Sequence, residues 1–148
     1  MSFSTRITVR FGDCDPAGLV YYPVVFHYFH VAMEEFFAAR YGTTYARLMG
    51  ERRLGFPTVN VKAEFFVPVL YGDEIDVEVS VSRVGTSSAT FEYAARRASD
   101  GTLCARSTQV LTRRRSRWTR RAMRRKQNVP RCSCCTTNAT HSTRCVRY

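Results

Sequence analysis

The segment Pro23-Val24-Val25-Phe26-His27-Tyr28-Phe29-His30-Val31-Ala32-Met33-Glu34-Glu35-Phe36-Phe37 places Phe26, Phe29, Met33, Phe36 and Phe37 three or four positions apart. That spacing gathers them on one side of an α-helix. Pro23 suits a first turn, where its missing N–H is no loss, and Gly42 is a natural stop, so a helix is predicted over residues 23–41. On both sides the period changes to two. Ahead of the helix, residues 7–11 alternate in strand fashion before the turn-rich Gly12-Asp13-Cys14-Asp15-Pro16-Ala17-Gly18. After it, beyond a loop ending near Pro57, come Val59, Val61, Ala63 and Phe65, then Ile75, Val77, Val79 and Val81, then Ala89, Phe91, Tyr93 and Ala95, then a run over residues 103–112. Tyr71-Gly72-Asp73, Gly85-Thr86 and Asp100-Gly101 supply turn chemistry between these runs. The expected order is a strand, one long helix and a meander of four strands. A single apolar helix must cover the apolar face of such a sheet, which gives an α+β domain.

The chain has 148 residues, 45% of them hydrophobic, a length that favours one domain with a sizeable core. Its formal charge of +11 would ordinarily point to a polyanionic partner. The charge is divided, however: residues 1–112 carry eleven basic and twelve acidic groups, a net of −1, and residues 113–148 carry twelve basic groups and no acid. No apolar run approaches the roughly 20 residues of a spanning helix, and the N-terminal residues alternate instead of forming a signal-peptide core, so a cytoplasmic location is expected. Cys14 and Cys104 lie in the body, while Cys132, Cys134, Cys135 and Cys145 crowd the end of the chain. In that setting they read as free thiols or metal ligands, not a disulfide framework.

The loop before the helix holds the chemistry. Asp13 and Asp15 stand two residues apart in a Gly/Pro turn just ahead of a helix start. A helix start offers unpaired N–H groups and a partial positive charge that can hold the oxygen of a polarised carbonyl. A carboxylate beside such donors meets the needs of acyl transfer, a nucleophile or base on one side and an oxyanion site on the other. The same residue types also serve in ordinary turns and caps. His27 and His30 lie three apart on the helix, but the body offers no third ligand, and they read as surface or partly buried histidines.

The pattern D-x-D-x-x-G-x-V-Y-Y over residues 13–22, the aromatic helix after it and Phe66-Val67-Pro68-Val69-Leu70-Tyr71-Gly72-Asp73-Glu74-Ile75 together resemble the hotdog-fold thioesterases, of the 4-hydroxybenzoyl-CoA and broader acyl-CoA type. The resemblance covers roughly residues 5–112. It implies a long central helix wrapped by an antiparallel β-sheet, assembly as homodimers or homotetramers, and an acyl-CoA substrate bound at a subunit interface. It places the catalytic carboxylate on Asp15 and the carbonyl-polarising donor on the backbone N–H of Tyr22. Gly18 falls with them in the substrate-binding turn, and Asp13 and Gly18 are expected to shape that turn. Many relatives have Asn-Tyr where this chain has Val24-Val25. Relatives of the short-chain type often have His where Tyr22 stands, which leans this chain toward aromatic acyl-CoA. A second branch of the family uses a helix glutamate, but the Asp15 motif is the better match, and Glu34 and Glu35 read as surface or interface groups. A thiolate leaves readily, so one carboxylate and one oxyanion donor suffice, with neither metal nor organic cofactor called for. Arg52, Arg53, Lys62, Arg83, Arg96 and Arg97 are candidates for the CoA phosphates, and spacing does not rank them.

Residues 1–112 are therefore expected to form the thioesterase domain, and residues 113–148 a basic tail of different character. Opening on Arg113-Arg114-Arg115-Ser116-Arg117-Trp118, the tail contains no Leu, Ile, Phe, Asp or Glu, a composition expected to stay disordered. It has three readings. It is an arm for nucleic acid or acidic lipid, with Trp118 to stack; or a zinc knuckle of Cys132, Cys135, His141 and Cys145, whose last two gaps are each shifted by one; or the out-of-frame end of a GC-rich gene. Two other functions compete with hydrolysis of an aromatic or short-chain acyl-CoA. One is nucleic-acid binding through the tail, and the other is a hotdog domain that binds acyl thioesters without cleaving them.

Overall fold

A computed structural model describes residues 2–115. Strand β1 (Ser2–Thr8) leads through a 3-10 turn (Phe11–Asp13) and a loop into helix α1 (Tyr22–Tyr41), followed by a short helix α2 (Tyr45–Gly50). The remaining elements are β2 (Leu54–Gly55), β3 (Thr58–Phe65), β4 (Glu74–Val84), β5 (Ser88–Arg97), β6 (Leu103–Thr112) and β7 (Arg114–Arg115). A five-stranded sheet runs in the order β1-β4-β5-β6-β3 with every neighbour antiparallel, and β2 pairs with β7 separately.

Helix α1 buries Val25, Tyr28, Phe29, Ala32, Met33, Phe36 and Phe37. Their steps of three and one keep all seven on a single stripe. Pro23 lies in the first turn, and Gly42 ends the helix at φ 61°, a left-handed conformation that glycine adopts without a Cβ penalty, its N–H returning to the Ala38 carbonyl. The stripe rests on Ile75, Val77 and Val79 of β4, Phe91, Tyr93 and Ala95 of β5 and Ala105 and Leu111 of β6, all buried. Phe29 lies tilted on Tyr93 with ring centroids 5.1 Å apart. The expected α+β arrangement, one long helix packed on an antiparallel sheet, is the one observed.

The strand order departs from the expected meander. Strands β4, β5 and β6 follow one another, but β3 pairs with β6, not with β4. Residues 66–73 therefore cross the end of the sheet instead of forming a tight hairpin, and Pro68, which has no N–H to give a ladder, sits within this crossing. Alternation identifies a strand and its apolar face, but not its neighbour. The segment ahead of Pro57, expected as loop, contains α2 and β2; Thr44 caps α2 by accepting from the Arg47 N–H at 3.2 Å. No helix among the described residues is long and apolar enough to cross a membrane.

Candidate active site

The loop between β1 and α1 is tied to itself at short range. The Asp15 N–H donates to the Leu19 carbonyl at 2.8 Å and the Gly18 N–H to the Asp15 carbonyl at 2.9 Å, while Cys14 bridges Val20. Gly18 turns the chain at φ 78°, a value that favours glycine. The loop is then stitched to the crossing segment, with Val20 N–H to the Val69 carbonyl at 2.9 Å and Tyr71 N–H to the Gly18 carbonyl at 3.4 Å.

The two aspartates of this loop do different work. Asp13 Oδ2 accepts from the Arg10 N–H at 2.7 Å and from the Tyr28 hydroxyl at 2.8 Å, and the Asp13 carbonyl accepts from the Tyr21 N–H at 3.0 Å. Through Oδ2 and its main-chain carbonyl Asp13 holds the loop to α1, in keeping with the expectation that it shapes the turn, while its Oδ1 accepts from no group among the described residues. Burial first, then the hydrogen bond and charge of Asp13, push the Tyr28 phenol well above its ordinary pKa, so it stays a donor. Asp15, partly buried, accepts through Oδ1 from the Ala17 N–H at 2.9 Å and the Leu19 N–H at 3.3 Å, whereas Oδ2 accepts from no group among the described residues. One oxygen fixes the carboxylate and the other is unengaged among the described residues.

Tyr22 is the first residue of α1, and its N–H donates to no protein acceptor among the described residues. It borders an apolar cavity of about 340 Å³ walled by Leu19, Val25, Tyr28, Phe65, Phe66 and Ala105 among others. The sequence thus brings Asp15, Gly18 and Tyr22 to one loop–helix junction, and Asp15 itself stands outside the cavity lining. Of the aromatic stripe, Phe29, Phe36 and Phe37 are core, and Phe26 meets Phe65 edge to face at 6.2 Å. The Cys14 thiol, pushed up by burial and by Asp13 and Asp15, is a poor nucleophile in this setting. What sequence reasoning missed is Tyr28, whose only signal was a hydroxyl on the apolar side of a helix, a group that needs a partner.

The competing groups lie on the surface. His30 contacts Glu34 at 3.1 Å one turn along the exposed side of α1, and Glu35 accepts from the Thr5 hydroxyl. Among the described residues no three His, Cys, Asp or Glu side chains cluster as metal ligands. The knuckle residues Cys132, Cys135, His141 and Cys145, together with Trp118, lie outside the described residues. Arg96 pairs with Glu78 at 3.9 Å, and Arg97 with Asp73 at 3.5 Å and Asp100 at 3.2 Å.

A family model described as the thioesterase-like superfamily matches residues 9–128, past the residue where the resemblance read from the sequence ends. A 1,4-dihydroxy-2-naphthoyl-CoA hydrolase of Prochlorococcus marinus is 28% identical over 93 residues, 58% of this chain and 59% of that protein. A 4-hydroxybenzoyl-CoA thioesterase of a Pseudomonas species is 26% identical over 101 residues, 68% of this chain and 72% of that protein. The chain spans about three fifths of the length of the naphthoyl-CoA hydrolases it matches. The solved structure of a gentisyl-coenzyme A thioesterase superposes with a TM-score of 0.70 over 76% of this chain and 89% of the other at 24% identity, a likeness of fold, the hotdog arrangement of helix and sheet.

Proposed function

Because the chain belongs to the thioesterase-like superfamily, we propose that it hydrolyses an acyl-CoA thioester to the free acid and CoA, taking an aromatic, 4-hydroxybenzoyl-like acyl group or a short-chain one. One observation carries the reading: Tyr22, whose helix-start N–H is unengaged among the described residues, lines an apolar cavity at the loop–helix junction that also holds Asp15, whose Oδ2 accepts no hydrogen bond among them. The amide stabilises charge that develops on the thioester oxygen, and such a donor acts most strongly where water is excluded. Asp15 either adds Oδ2 to the carbonyl carbon, expelling CoA thiolate and leaving an acyl anhydride that water hydrolyses, or takes a proton from the water that attacks. Gly18 keeps the turn open beside the substrate. The walls of the cavity favour a compact apolar acyl group, in keeping with the aromatic thioesters named for the relatives.

The reading includes a second copy of the chain. Val59, Val61 and Phe65 of the edge strand β3 are about half exposed, on an edge whose outer side pairs with no strand among the described residues. A homodimer, or a homotetramer built from it, would cover them. We assign catalysis to residues 1–112 and give residues 113–148 no part in it.

The test is turnover of an acyl-CoA panel by wild type and Asp15→Asn. Hydrolysis by the wild type, with kcat lower by about 10²- to 10⁴-fold in the variant, is expected; equal turnover in both would remove Asp15 from the mechanism. Label in Asp15 after a single turnover in ¹⁸O water identifies the nucleophilic route with water attacking the Asp15 carbonyl of the anhydride. Attack at the acyl carbon puts the label in the product, as the general-base route does, and there an acyl group trapped on Asp15 by rapid quench separates the two.

A further inference from the structure

We infer that Tyr28 is a positioning residue for this reaction, its hydroxyl acting through Asp13 to fix the Asp15 carboxylate against the Tyr22 amide. The inference rests on the reading of Asp15 and Tyr22 given above.

Tyr28 occupies a core position, 4% exposed, between Val25 and Phe29 on the buried stripe of α1. A phenylalanine would fill the same space. Its hydroxyl is the added feature, and it is spent on Asp13 Oδ2 at 2.8 Å. Asp13 in turn gathers the two ends of the loop, taking the Arg10 N–H on Oδ2 at 2.7 Å and the Tyr21 N–H on its main-chain carbonyl at 3.0 Å. Between those ends hangs Asp15, its carboxylate held among the described residues only by donors from its own turn, Ala17 and Leu19. Among the described residues no other side-chain hydrogen bond runs from α1 to this loop. The spacing between Asp15 and the amide of Tyr22, the neighbour of Tyr21, therefore depends on this side-chain clamp together with the main-chain ties of the loop to Val69 and Tyr71.

Tyr28 also walls the cavity that Tyr22 borders. An acyl group seated there lies against the ring whose hydroxyl holds the loop, so substrate binding and alignment of the carboxylate share one side chain. Because reacting groups must be held within a fraction of an ångström, loosening the clamp costs turnover more than binding.

The experiment uses the full-length chain and the panel member that the wild type turns over fastest. Tyr28→Phe keeps the cavity wall and removes the clamp. It is expected to lower kcat about tenfold with KM changed less than about twofold, at a temperature where melting curves show both proteins folded. Asp13→Ala is expected to lose at least as much, and the double variant Asp13→Ala/Tyr28→Phe no more than Asp13→Ala alone, because both changes break one contact. Should Asp13→Ala not fold, Asp13→Asn serves in its place: its carboxamide oxygen still accepts from Tyr28, so adding Tyr28→Phe lowers kcat further. Wild-type kcat in folded Tyr28→Phe, with only the melting temperature reduced, overturns the inference, as do multiplicative losses in Asp13→Ala/Tyr28→Phe or the absence of any further loss when Tyr28→Phe is added to Asp13→Asn. Asp15→Asn separates this outcome from failure of the underlying reading. An inactive Asp15→Asn beside a fully active Tyr28→Phe sinks the clamp alone, and a fully active Asp15→Asn sinks both.

Discussion

The two faces of the sheet are built from the same strands yet have nothing in common chemically. Toward α1 point Ile75, Val77, Val79, Phe91, Tyr93 and Ala95, all buried. Away from it point Asp76, Glu78, Glu92 and Arg96, joined by Arg6, Glu64 and Arg106 from neighbouring strands in cross-strand pairs. A period of two sends successive side chains to opposite sides, so each strand supplies both faces at once. The helix face carries the cavity and the stabilising apolar contacts, whereas the outer face carries charge in solvent, where pairs are weak. Stability and chemistry should therefore respond to substitutions on one face and hardly at all to those on the other.

The largest expected contrast is in stability. Phe29 is fully buried, and Phe29→Ala should cost about 3–5 kcal/mol through lost burial and the cavity left behind. Thr108→Ala on the exposed face of β6 should change stability by less than about 0.5 kcal/mol. Urea denaturation of both variants tests the pair, and comparable costs would break the division into two faces.

The next effect sharpens where the apolar face ends. On β3 that face runs past the reach of α1, leaving Val61 47% and Phe65 50% exposed. Val61→Lys puts a charge there and should lower the molecular mass seen in sedimentation toward that of one chain, while Lys62→Gln, one residue along and on the outer face, should leave the mass as in the wild type. An unchanged mass for Val61→Lys would move the subunit contact off the β3 edge.

These faces also mark what was legible beforehand. The stripe of α1 and the alternation of β4 and β5 are local patterns, so residues three or two apart revealed both the elements and their buried sides. Asp15, Gly18 and Tyr22 were legible as a motif because one short stretch, the loop and the first residue of α1, contains them all. The partner of β3 was not, since the pairing of Lys62 with Thr108 spans most of the sheet and leaves no trace in local period. Tyr28 and Asp13 stand fifteen residues apart on different elements, and only the folded loop brings them together. Val59 and Val61 read as one alternating side of a strand, and alternation reports which side a residue faces, not whether that side is covered.

The smallest effect belongs to the outer face and shows itself through pH. Arg6 Nε and Nη2 donate to the two oxygens of Asp76 at 2.8 and 2.9 Å, and that hydrogen bond, with the Arg6 charge behind it, holds the Asp76 carboxyl below its ordinary value against a smaller opposing effect of burial. Glu64 beside Arg106, and Asp100 under the Thr102 N–H and Arg97, are lowered likewise. A carboxyl with a folded pKa below its unfolded one binds fewer protons folded than unfolded. Its contribution is complete above the unfolded value of about 3.9 and is lost as pH falls through the folded value. Arg6→Gln should therefore lower the urea midpoint slightly near neutral pH, less so as salt is added. The gap from the wild type should close as pH falls through the folded value of Asp76, below which the carboxyl is protonated in both. The cost of Phe29→Ala has no charge in it and should persist across the same range. A gap for Arg6→Gln that stayed constant with pH would mean that the arginine acts through the packing of its stem, not through its pair with Asp76.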